Sequence, residues 1–290
     1  MSHVHRSLKR VSQKIPGLKT LLKEKQRLYT DNGVLQLEKG QLEADLREAQ
    51  SIADSPRDFL ARHYIRGKGI EIGAAHLPIK LPKVAKVHYV DVFTADELRK
   101  IFPREYTKVN LVEIDVVDDG ETLTKFKNNS LDFIIANHFI EHCLDPIDTI
   151  LNMYKKLRRE GVIYMGIPEK RYTFDKPRPI TSYEHLLEEH KDKTKEKFRL
   201  EHTEEAIRLT EKGMKTEADI QKRVKELMDS GFRIHYHVWT QKEMTEMFIR
   251  IAQDFNVDLE IEALLKNGHE VIYVLRKQPP DKLKNYKPTF

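Results

Sequence analysis

The sequence predicts an α/β fold built on a parallel sheet, and two observations support this prediction. From Lys68 onward, short apolar runs alternate with helical segments, a pattern typical of parallel sheets. Two of the runs, Gly69-Ile-Glu-Ile-Gly73 and Val87-His-Tyr-Val-Asp91, end in a glycine and a carboxylate. Ligands of doubly wound sheets bind at the carboxyl ends of the strands. We therefore expect a ligand site beside Gly73 and Asp91.

The order of elements follows from the same reading of apolar runs. The predicted strands are residues 69–73, 86–91, 108–114, 131–136, 161–167, 257–264 and 270–276. The predicted helices are residues 95–101, 121–127, 145–158 and 241–252. Lys266-Asn-Gly268 is a turn signal between the last two strands, so these strands should form an antiparallel hairpin.

Segments outside this pattern divide the chain further. Residues 183–230 are strongly charged with a helical period, which predicts helices inserted between two parts of the core. The predicted parts are an N-terminal helical arm (1–54), a core (55–170), a helical cap (171–232), the rest of the core (233–277) and an extended tail (278–290).

Leucines at seven-residue spacing in the arm predict a coiled coil. Leu21, Leu28, Leu35 and Leu42 form the seam, so a homodimer through residues 15–50 is expected. Asp31-Asn-Gly33 is a turn signal, which leaves a two-helix hairpin as an equal alternative and a solvated helical arm as a third.

Composition narrows the class of protein. Cys143 is the only cysteine, so an internal disulfide and a cysteine-based zinc site are excluded. A reducing, cytoplasmic location is expected, with the basic first residues suited to an anionic membrane surface. No apolar run approaches 18 residues, so no transmembrane segment is predicted. The net charge of +5 does not require nucleic acid as a partner.

The end of the first strand has the layout of a nucleoside site. Gly73 would permit a tight turn, and the start of a following helix would offer free N–H groups to an anion. Asp91 would accept hydrogen bonds from ribose hydroxyls. Ala75 stands where such sites often have a second glycine.

Residues 65–277 resemble class I S-adenosylmethionine-dependent methyltransferases. The resemblance rests on Glu71-Ile-Gly73, on Asp91 and on Leu157-Arg-Arg-Glu-Gly161 before the fifth strand. It implies a Rossmann-like seven-stranded sheet with a C-terminal antiparallel hairpin, and S-adenosylmethionine as the cofactor. The implied cofactor-binding residues are Glu71, Gly73, Ala74, Asp91, Asp115 and Asn137. Among them, Asp115 is expected after the third strand, beside the adenine.

Further segments resemble a subgroup found with polysaccharide- and glycan-assembly enzymes. They are Ala136-Asn-His-Phe-Ile-Glu-His-Cys143, Lys170-Arg-Tyr-Thr-Phe-Asp175 and His235-Tyr-His-Val-Trp-Thr240. This resemblance implies O-methylation of a sugar or glycan-like hydroxyl on a small-molecule or glycan acceptor. Expected acceptor contacts are Tyr172, Asp175, Arg178 and His185. An ion pair between Arg178 and Asp175 that only anchors the cap is the alternative.

Three residues after the fourth strand are the catalytic candidates. His138, Glu141 and His142 would share one face of a helical turn. Together with His235 they would supply three imidazoles and a carboxylate to a divalent metal such as Zn²⁺, Mn²⁺ or Fe²⁺, which would lower the pKa of an acceptor hydroxyl. Alternatively, His142 or His138 acts as a general base without a metal.

Two rival functions remain open at this stage. Ala75 and the single glycine motivate a degenerate methyltransferase fold that serves as a binding scaffold. The basic arm and the late His235-Tyr-His-Val-Trp-Thr240 segment motivate an RNA 2′-O-methyltransferase. Phosphoryl transfer is not expected, because the chain has no Walker-type loop.

Overall fold

The computed structural model describes residues 18–53, 55–214 and 216–279. The chain divides into two units between Ser55 and Pro56, and each is described by itself. The predictions for the basic first residues and for most of the extended tail fall outside the described residues.

Among its described residues, the first unit contains one helix, α1 (Leu18–Ala53). It runs without interruption through Asp31-Asn-Gly33, so the predicted turn there does not form and the two-helix hairpin is wrong. The turn signal fails because one glycine costs a helix only about 1 kcal/mol, which the flanking helix formers can offset. Leu28, Leu35 and Leu42 of the predicted seam are exposed. Dimerisation through this seam stays a prediction.

The second unit contains eight helices and seven strands among its described residues. The helices are α2 (Pro56–Tyr64), α3 (Ala95–Ile101), α4 (Pro103–Tyr106), α5 (Pro146–Lys156), α6 (Tyr183–Lys191), α7 (Glu196–Thr210), α8 (Glu217–Ser230) and α9 (Gln241–Asp254). The strands are β1 (Gly67–Ile72), β2 (Ala85–Asp91), β3 (Val116–Val117), β4 (Leu131–Ile135), β5 (Leu157–Pro168), β6 (Leu259–Asn267) and β7 (Glu270–Lys277). Two 3₁₀ turns lie at Ile140–His142 and Lys170–Tyr172.

The strands form one sheet in the order β3-β2-β1-β4-β5-β7-β6. Strands β1 to β5 pair in parallel, whereas β7 is antiparallel to both β5 and β6. Gly268 makes the turn between β6 and β7 with a φ of +59°, a backbone conformation that glycine adopts without strain. The predicted seven-stranded sheet with its C-terminal hairpin is confirmed.

The third strand is shorter and later than predicted. Residues 108–114 form no strand, because the Val112 N–H leaves the sheet and donates to the Ala75 carbonyl at 2.9 Å. Pairing with β2 begins only when the Asp115 N–H reaches the Tyr89 carbonyl at 3.0 Å.

The helix predicted at 121–127 is also absent. The buried carboxylate of Asp118 accepts the Lys125 N–H and the Thr124 hydroxyl, both at 2.8 Å. These bonds fold the segment into a loop around the carboxylate, and the backbone donors of a helical turn are diverted.

No helix follows β1, contrary to expectation. Residues 73–84 return to the start of β2 as irregular chain, and Pro78 and Pro82 disfavour a helix there. The Glu71 carboxylate accepts the Ile79 N–H at 3.1 Å, and the Ile79 side chain is buried against the sheet. The end of β1 therefore offers no helix N-terminus to an anion.

The sheet buries apolar side chains on both faces. Along β4, Ile134 packs on the face covered by α5 and α9, whereas Phe133 and Ile135 pack on the face covered by α2. This alternation is the period of two of a strand buried on both sides. Full burial of each such side chain contributes about 1.5–3 kcal/mol.

Helices α6, α7 and α8 follow β5 and occupy the region predicted as a cap. α7 and α8 share a small core of their own, formed by Ile207, Val224 and Leu227. Among the described residues, no helix combines the length and the apolar character that crossing a membrane requires.

Candidate active site

The carboxyl ends of β1 and β2 lie side by side, as predicted, and carry Gly73 and Asp91. Gly73 has a φ of +64°, and no atom lies within 4 Å of the position that a Cβ would take. Its N–H donates to the Val90 carbonyl at 2.9 Å. The turn after β1 therefore depends on the left-handed backbone conformation of Gly73. The space beside this glycine and β2 is free.

Asp91 is the last residue of β2. Among the described residues, only backbone N–H groups of the turn that follows donate hydrogen bonds to its carboxylate. Oδ1 accepts the Phe93 N–H at 3.2 Å, and burial raises the pKa of the carboxyl above its usual value. The nearby Tyr106 ring lies edge-on to His76 and Phe102, each with centroids 6.1 Å apart. The sequence analysis did not identify these aromatic rings. Their one indication in the sequence is the Phe102-Pro103 junction, which separates two short helices.

Ala75 adopts a left-handed backbone conformation with a φ of +46°. That conformation costs a residue with a Cβ about 1–2 kcal/mol, and it explains why glycine is common at this position. Ala75→Gly should therefore raise the free energy of unfolding by about 0.5–1 kcal/mol, since the flexibility of glycine in the unfolded chain offsets part of the relief. Chemical denaturation measures the change.

The neighbouring Ala74 supplies the matched control, because its backbone is outside the left-handed region. Ala74→Gly should lower the free energy of unfolding by a similar amount. Equal destabilisation by both substitutions would contradict the strain at Ala75.

Asp115 does not follow the third strand, so its predicted position in the sheet is wrong, whereas its contact with an adenine stays a prediction. It precedes β3, and its carboxylate accepts the Tyr89 N–H at 2.8 Å. The error follows from the late start of β3. Asp118 and Asp119 are the residues that leave the carboxyl end of β3. The next residue, Gly120, comes so close to Ile72 and Phe139 that a Cβ would lie 2.6 and 2.7 Å from their side chains.

Asn137 and Ala74 flank the same edge of the sheet. The side-chain amide oxygen of Asn137, Oδ1, accepts the Gly166 N–H at 2.8 Å, so this side chain links the end of β4 to β5. Ala74 is buried directly after Gly73.

Three of the four predicted metal ligands come together beyond β4. Ligand atoms of Glu141, His142 and His235 all lie within 4.8 Å of one another. Nδ1 of His142 donates to the Ile234 carbonyl at 2.8 Å, and Nδ1 of His235 lies 2.7 Å from the Asp175 carboxylate. Each Nε2 is thereby left as the available ligand atom, an arrangement common around bound metals.

Glu141 is the least satisfied member of this cluster. The residue is 1% exposed, and neither carboxylate oxygen has a hydrogen-bond partner from another described residue. Burial raises the pKa of Glu141 to about 8. Burial, reinforced by the nearby His235, lowers the pKa of His142 to about 4.

His138 lies beside the cluster but turns towards β7. Its Nε2 is 2.9 Å from the Glu270 carboxylate, whereas its Nδ1 is 3.6 Å from Glu141 Oε1. Glu270 also accepts hydrogen bonds from Arg57 and Asn267. Burial alone would raise the pKa of Glu270, but the hydrogen bonds from Arg57 and His138 outweigh it and hold the pKa at about 2.

Asp175 and Arg178 have a different role from the predicted acceptor contact. The two side chains form a buried ion pair at 3.1 Å, and Arg178 also donates to Glu205 Oε1 and to the carbonyls of His235 and Tyr236. Arg178 is 2% exposed, so these bonds leave it no surface for an acceptor. The structure thus has the alternative ion pair, which holds the segment that carries His235.

The other two predicted acceptor residues are separated. Tyr172 is exposed after β5, and its hydroxyl accepts a hydrogen bond from Lys266 at 2.7 Å. His185 belongs to the cap, where its Nε2 lies 2.9 Å from Glu189 Oε1. Tyr172 therefore remains available at the edge of the site, whereas His185 is engaged within the cap.

Two charged residues near the site were not anticipated from the sequence. Glu270 orients His138, and its one sequence signal is a carboxylate directly before the apolar run of residues 271–275. Arg233 joins the loop after β3 to the segment before α9, through ion pairs with Glu121 and Asp119.

Comparison with known proteins matches residues 68–165 to a family model described as a methyltransferase domain. An uncharacterized protein of Methanocaldococcus jannaschii is 30% identical over 123 residues, which are 42% of this chain and 55% of that protein. Thus the match spans about half the length of this curated relative.

Solved structures include proteins of similar fold. An S-adenosylmethionine-dependent methyltransferase of Methanosarcina mazei is 16% identical with a TM-score of 0.41, over 74% of this chain and 95% of that chain. The PH0226 protein of Pyrococcus horikoshii is 18% identical with a TM-score of 0.39, over 74% and 82% of the two chains.

Residues 68–165 are therefore similar to a methyltransferase domain. The matched segment includes Gly73, Asp91, Glu141 and His142, whereas His235 lies beyond it.

Proposed function

We propose that this protein is an S-adenosylmethionine-dependent O-methyltransferase that acts on a hydroxyl of a sugar or glycan-like acceptor. The observation that carries the proposal is the cluster that Glu141 and His142, which lie just after β4 within the matched segment, form with the more distant His235. A cluster of this kind can bind and activate an oxygen nucleophile.

The cofactor end of the site fits the implied nucleoside. The space beside Gly73 is free, and the Asp91 carboxylate retains acceptor capacity beyond its bonds to the backbone of Val92 and Phe93. The rings of Tyr106, Phe102 and His76 supply an apolar wall next to it. S-adenosylmethionine, when bound, supplies an activated methyl group to the acceptor.

The acceptor end of the site is suited to a divalent cation. Glu141 and the two Nε2 atoms would hold it, and a bound cation lowers the pKa of a coordinated hydroxyl. We favour this role over His142 as a general base, because an imidazole with a pKa of about 4 attracts a proton weakly at neutral pH. A low pKa instead keeps His142 neutral, as a metal ligand must be.

Tyr172 is the residue best placed to contact an acceptor sugar. It is exposed beyond the end of β5, and Lys266 lies over its ring at 4.0 Å from the centroid. An aromatic face beside a cation offers both stacking and hydrogen bonding to a polyhydroxyl compound. The motif resemblance to glycan-assembly enzymes supports the same class of acceptor.

Replacing Asp91 tests the cofactor assignment. Asp91→Ala should weaken S-adenosylmethionine binding by about 10- to 100-fold, because hydrogen bonds to a charged group contribute about 1.5–3 kcal/mol. Isothermal titration calorimetry measures the affinity. Asp96→Ala is the control, since Asp96 is an exposed carboxylate on the next helix and should leave the affinity unchanged. Equal affinity in all three proteins would remove Asp91 from the site.

Methyl transfer from labelled cofactor tests the acceptor. A panel of sugars with free hydroxyls should be labelled, and the label should survive alkaline conditions, as ethers do and esters do not. Chelation of divalent cations should abolish the transfer, and Mn²⁺ or Zn²⁺ should restore it. Transfer to RNA alone, or none to any hydroxyl in the presence of measurable cofactor binding, would refute the sugar acceptor.

A further inference from the structure

The cap contains a group of histidines that the proposed reaction does not use. His185 and Glu189 stand one helical turn apart on α6, His202 lies on α7, and His237 lies in the segment before α9. Ligand atoms of the first three all lie within 4.8 Å of one another. His237 Nε2 is 3.5 Å from Glu189 Oε2.

The spacing of these atoms is that of ligands around a small metal ion. Four-coordinate Zn²⁺ with Zn–N bonds of about 2.0–2.1 Å places its ligand atoms about 3.3 Å from one another. The two Nε2 atoms of His185 and His202 are 3.3 Å apart. His185 Nε2 is 2.9 Å from Glu189 Oε1, and His202 Nε2 also contacts that oxygen.

Hydrogen bonds among these side chains do not satisfy all of their polar atoms. His237 is 1% exposed, and among the described residues neither of its ring nitrogens has a hydrogen-bond partner, nor does Glu189 Oε2. Each unsatisfied buried polar atom costs about 1–3 kcal/mol. A bound cation would supply these atoms with a partner.

The surroundings permit a cation to enter and remain. A cavity of about 260 Å³ reaches His185 and His202 and is also lined by Glu205. Arg178 is the nearby positive charge, but Asp175 and Glu205 neutralise it. A divalent ion in this cluster would pair with the carboxylate of Glu189.

We propose that His185, Glu189, His202 and His237 form a zinc site that fastens α6, α7 and the segment before α9 to one another. Three imidazoles and one carboxylate favour Zn²⁺ over Mg²⁺ or Ca²⁺, which prefer sites made entirely of oxygen. The site shares no residue with the cluster of Glu141, His142 and His235. Its function is to hold the cap together, and it does not depend on the proposed reaction.

The test measures Zn²⁺ binding in the full-length chain, with the other cluster disabled by His142→Ala and His235→Ala. Metal-free protein of this background should bind one equivalent of Zn²⁺ in a calorimetric titration, and its melting temperature should rise with added ZnCl₂. Adding His202→Ala should weaken binding by at least about 100-fold. Adding His63→Ala, an exposed histidine on α2, should leave the affinity unchanged.

Glu189→Gln is a second variant for the case in which His202→Ala fails to fold, because glutamine keeps the shape of the glutamate side chain. In the same background it should retain native circular dichroism and lose the zinc-dependent rise in melting temperature. Tetrahedral cobalt absorption bands after Co²⁺ substitution should disappear with it. A folded background protein that binds no Zn²⁺, or one whose affinity survives both substitutions, would overturn the proposal.

Discussion

Glu141→Gln should make the metal-free protein progressively more stable than the wild type as the pH rises. The folded protein raises the pKa of Glu141 to about 8, well above the value near 4.3 expected in an unfolded chain. Because the pKa is raised in the folded state, the protonated Glu141 carboxyl contributes fully to the stability of the folded protein below pH 4. This contribution is lost as the pH rises towards 8. Glutamine does not ionise, so the variant escapes this loss.

The experiment compares urea unfolding of the two proteins in EDTA between pH 6.5 and 8.5. Over this range the stability difference should shift by about 2 kcal/mol in favour of the variant. The range lies above the interval in which His142, with its pKa lowered to about 4, takes up a proton. Glu105→Gln is the control, because Glu105 is exposed on α4. Parallel pH profiles for wild type and Glu141→Gln would contradict the burial of an unpaired carboxyl.

A divalent cation should reverse the behaviour of the wild type. With the cap site disabled by His202→Ala in both proteins, ligation pairs the ionised carboxylate, so saturating Zn²⁺ should flatten the pH profile of the protein with Glu141 and leave that of Glu141→Gln nearly unchanged. If the cation had the same effect on both proteins, Glu141 would not be a ligand.

Arg57→Ala should lower the free energy of unfolding by about 3 kcal/mol, because it removes the main partner of a buried charge. Glu270 is 1% exposed, and Arg57 contacts both of its carboxylate oxygens. His138 and Asn267 remain as partners, yet they cannot replace a full positive charge. Denaturant unfolding at neutral pH measures the change.

A double-mutant cycle identifies the origin of this loss. In Arg57→Ala/Glu270→Gln no charge is left behind, so the double variant should be more stable than Arg57→Ala alone. Arg66→Ala, at an exposed arginine just past α2, should change the stability by less than about 0.5 kcal/mol. Additive effects of the two substitutions would mean that Arg57 acts through packing alone.

Local patterns were enough to predict most of the sheet. The position of Asp91 as the last residue of β2 follows from an apolar run that ends in a carboxylate, and the hairpin follows from Asn267-Gly268. β3 was misplaced because residues 108–114 are as apolar as a strand, whereas the hydrogen bond from Val112 to Ala75 comes from a distant part of the chain. The absent helix after β1 has a similar cause in the contact between Glu71 and Ile79.

The site was predictable where its members are close in sequence. Glu141 and His142 share a short turn, so their proximity could be read directly. The bond between His138 and Glu270, and the grouping of His185 with His202 and His237, depend on how separate elements pack. Residue types alone could not indicate that the Arg178 side chain would donate hydrogen bonds to four partners within the protein.

Asp175 touches both the imidazole of His235 and the guanidinium of Arg178, at 2.7 and 3.1 Å. This carboxylate thus contacts both a candidate metal ligand, His235, and Arg178, which anchors the cap. We expect a displacement of the cap that pulls on Arg178 to disturb the ring of His235 as well. Access to the site and the geometry of this candidate ligand would then be coupled through Asp175.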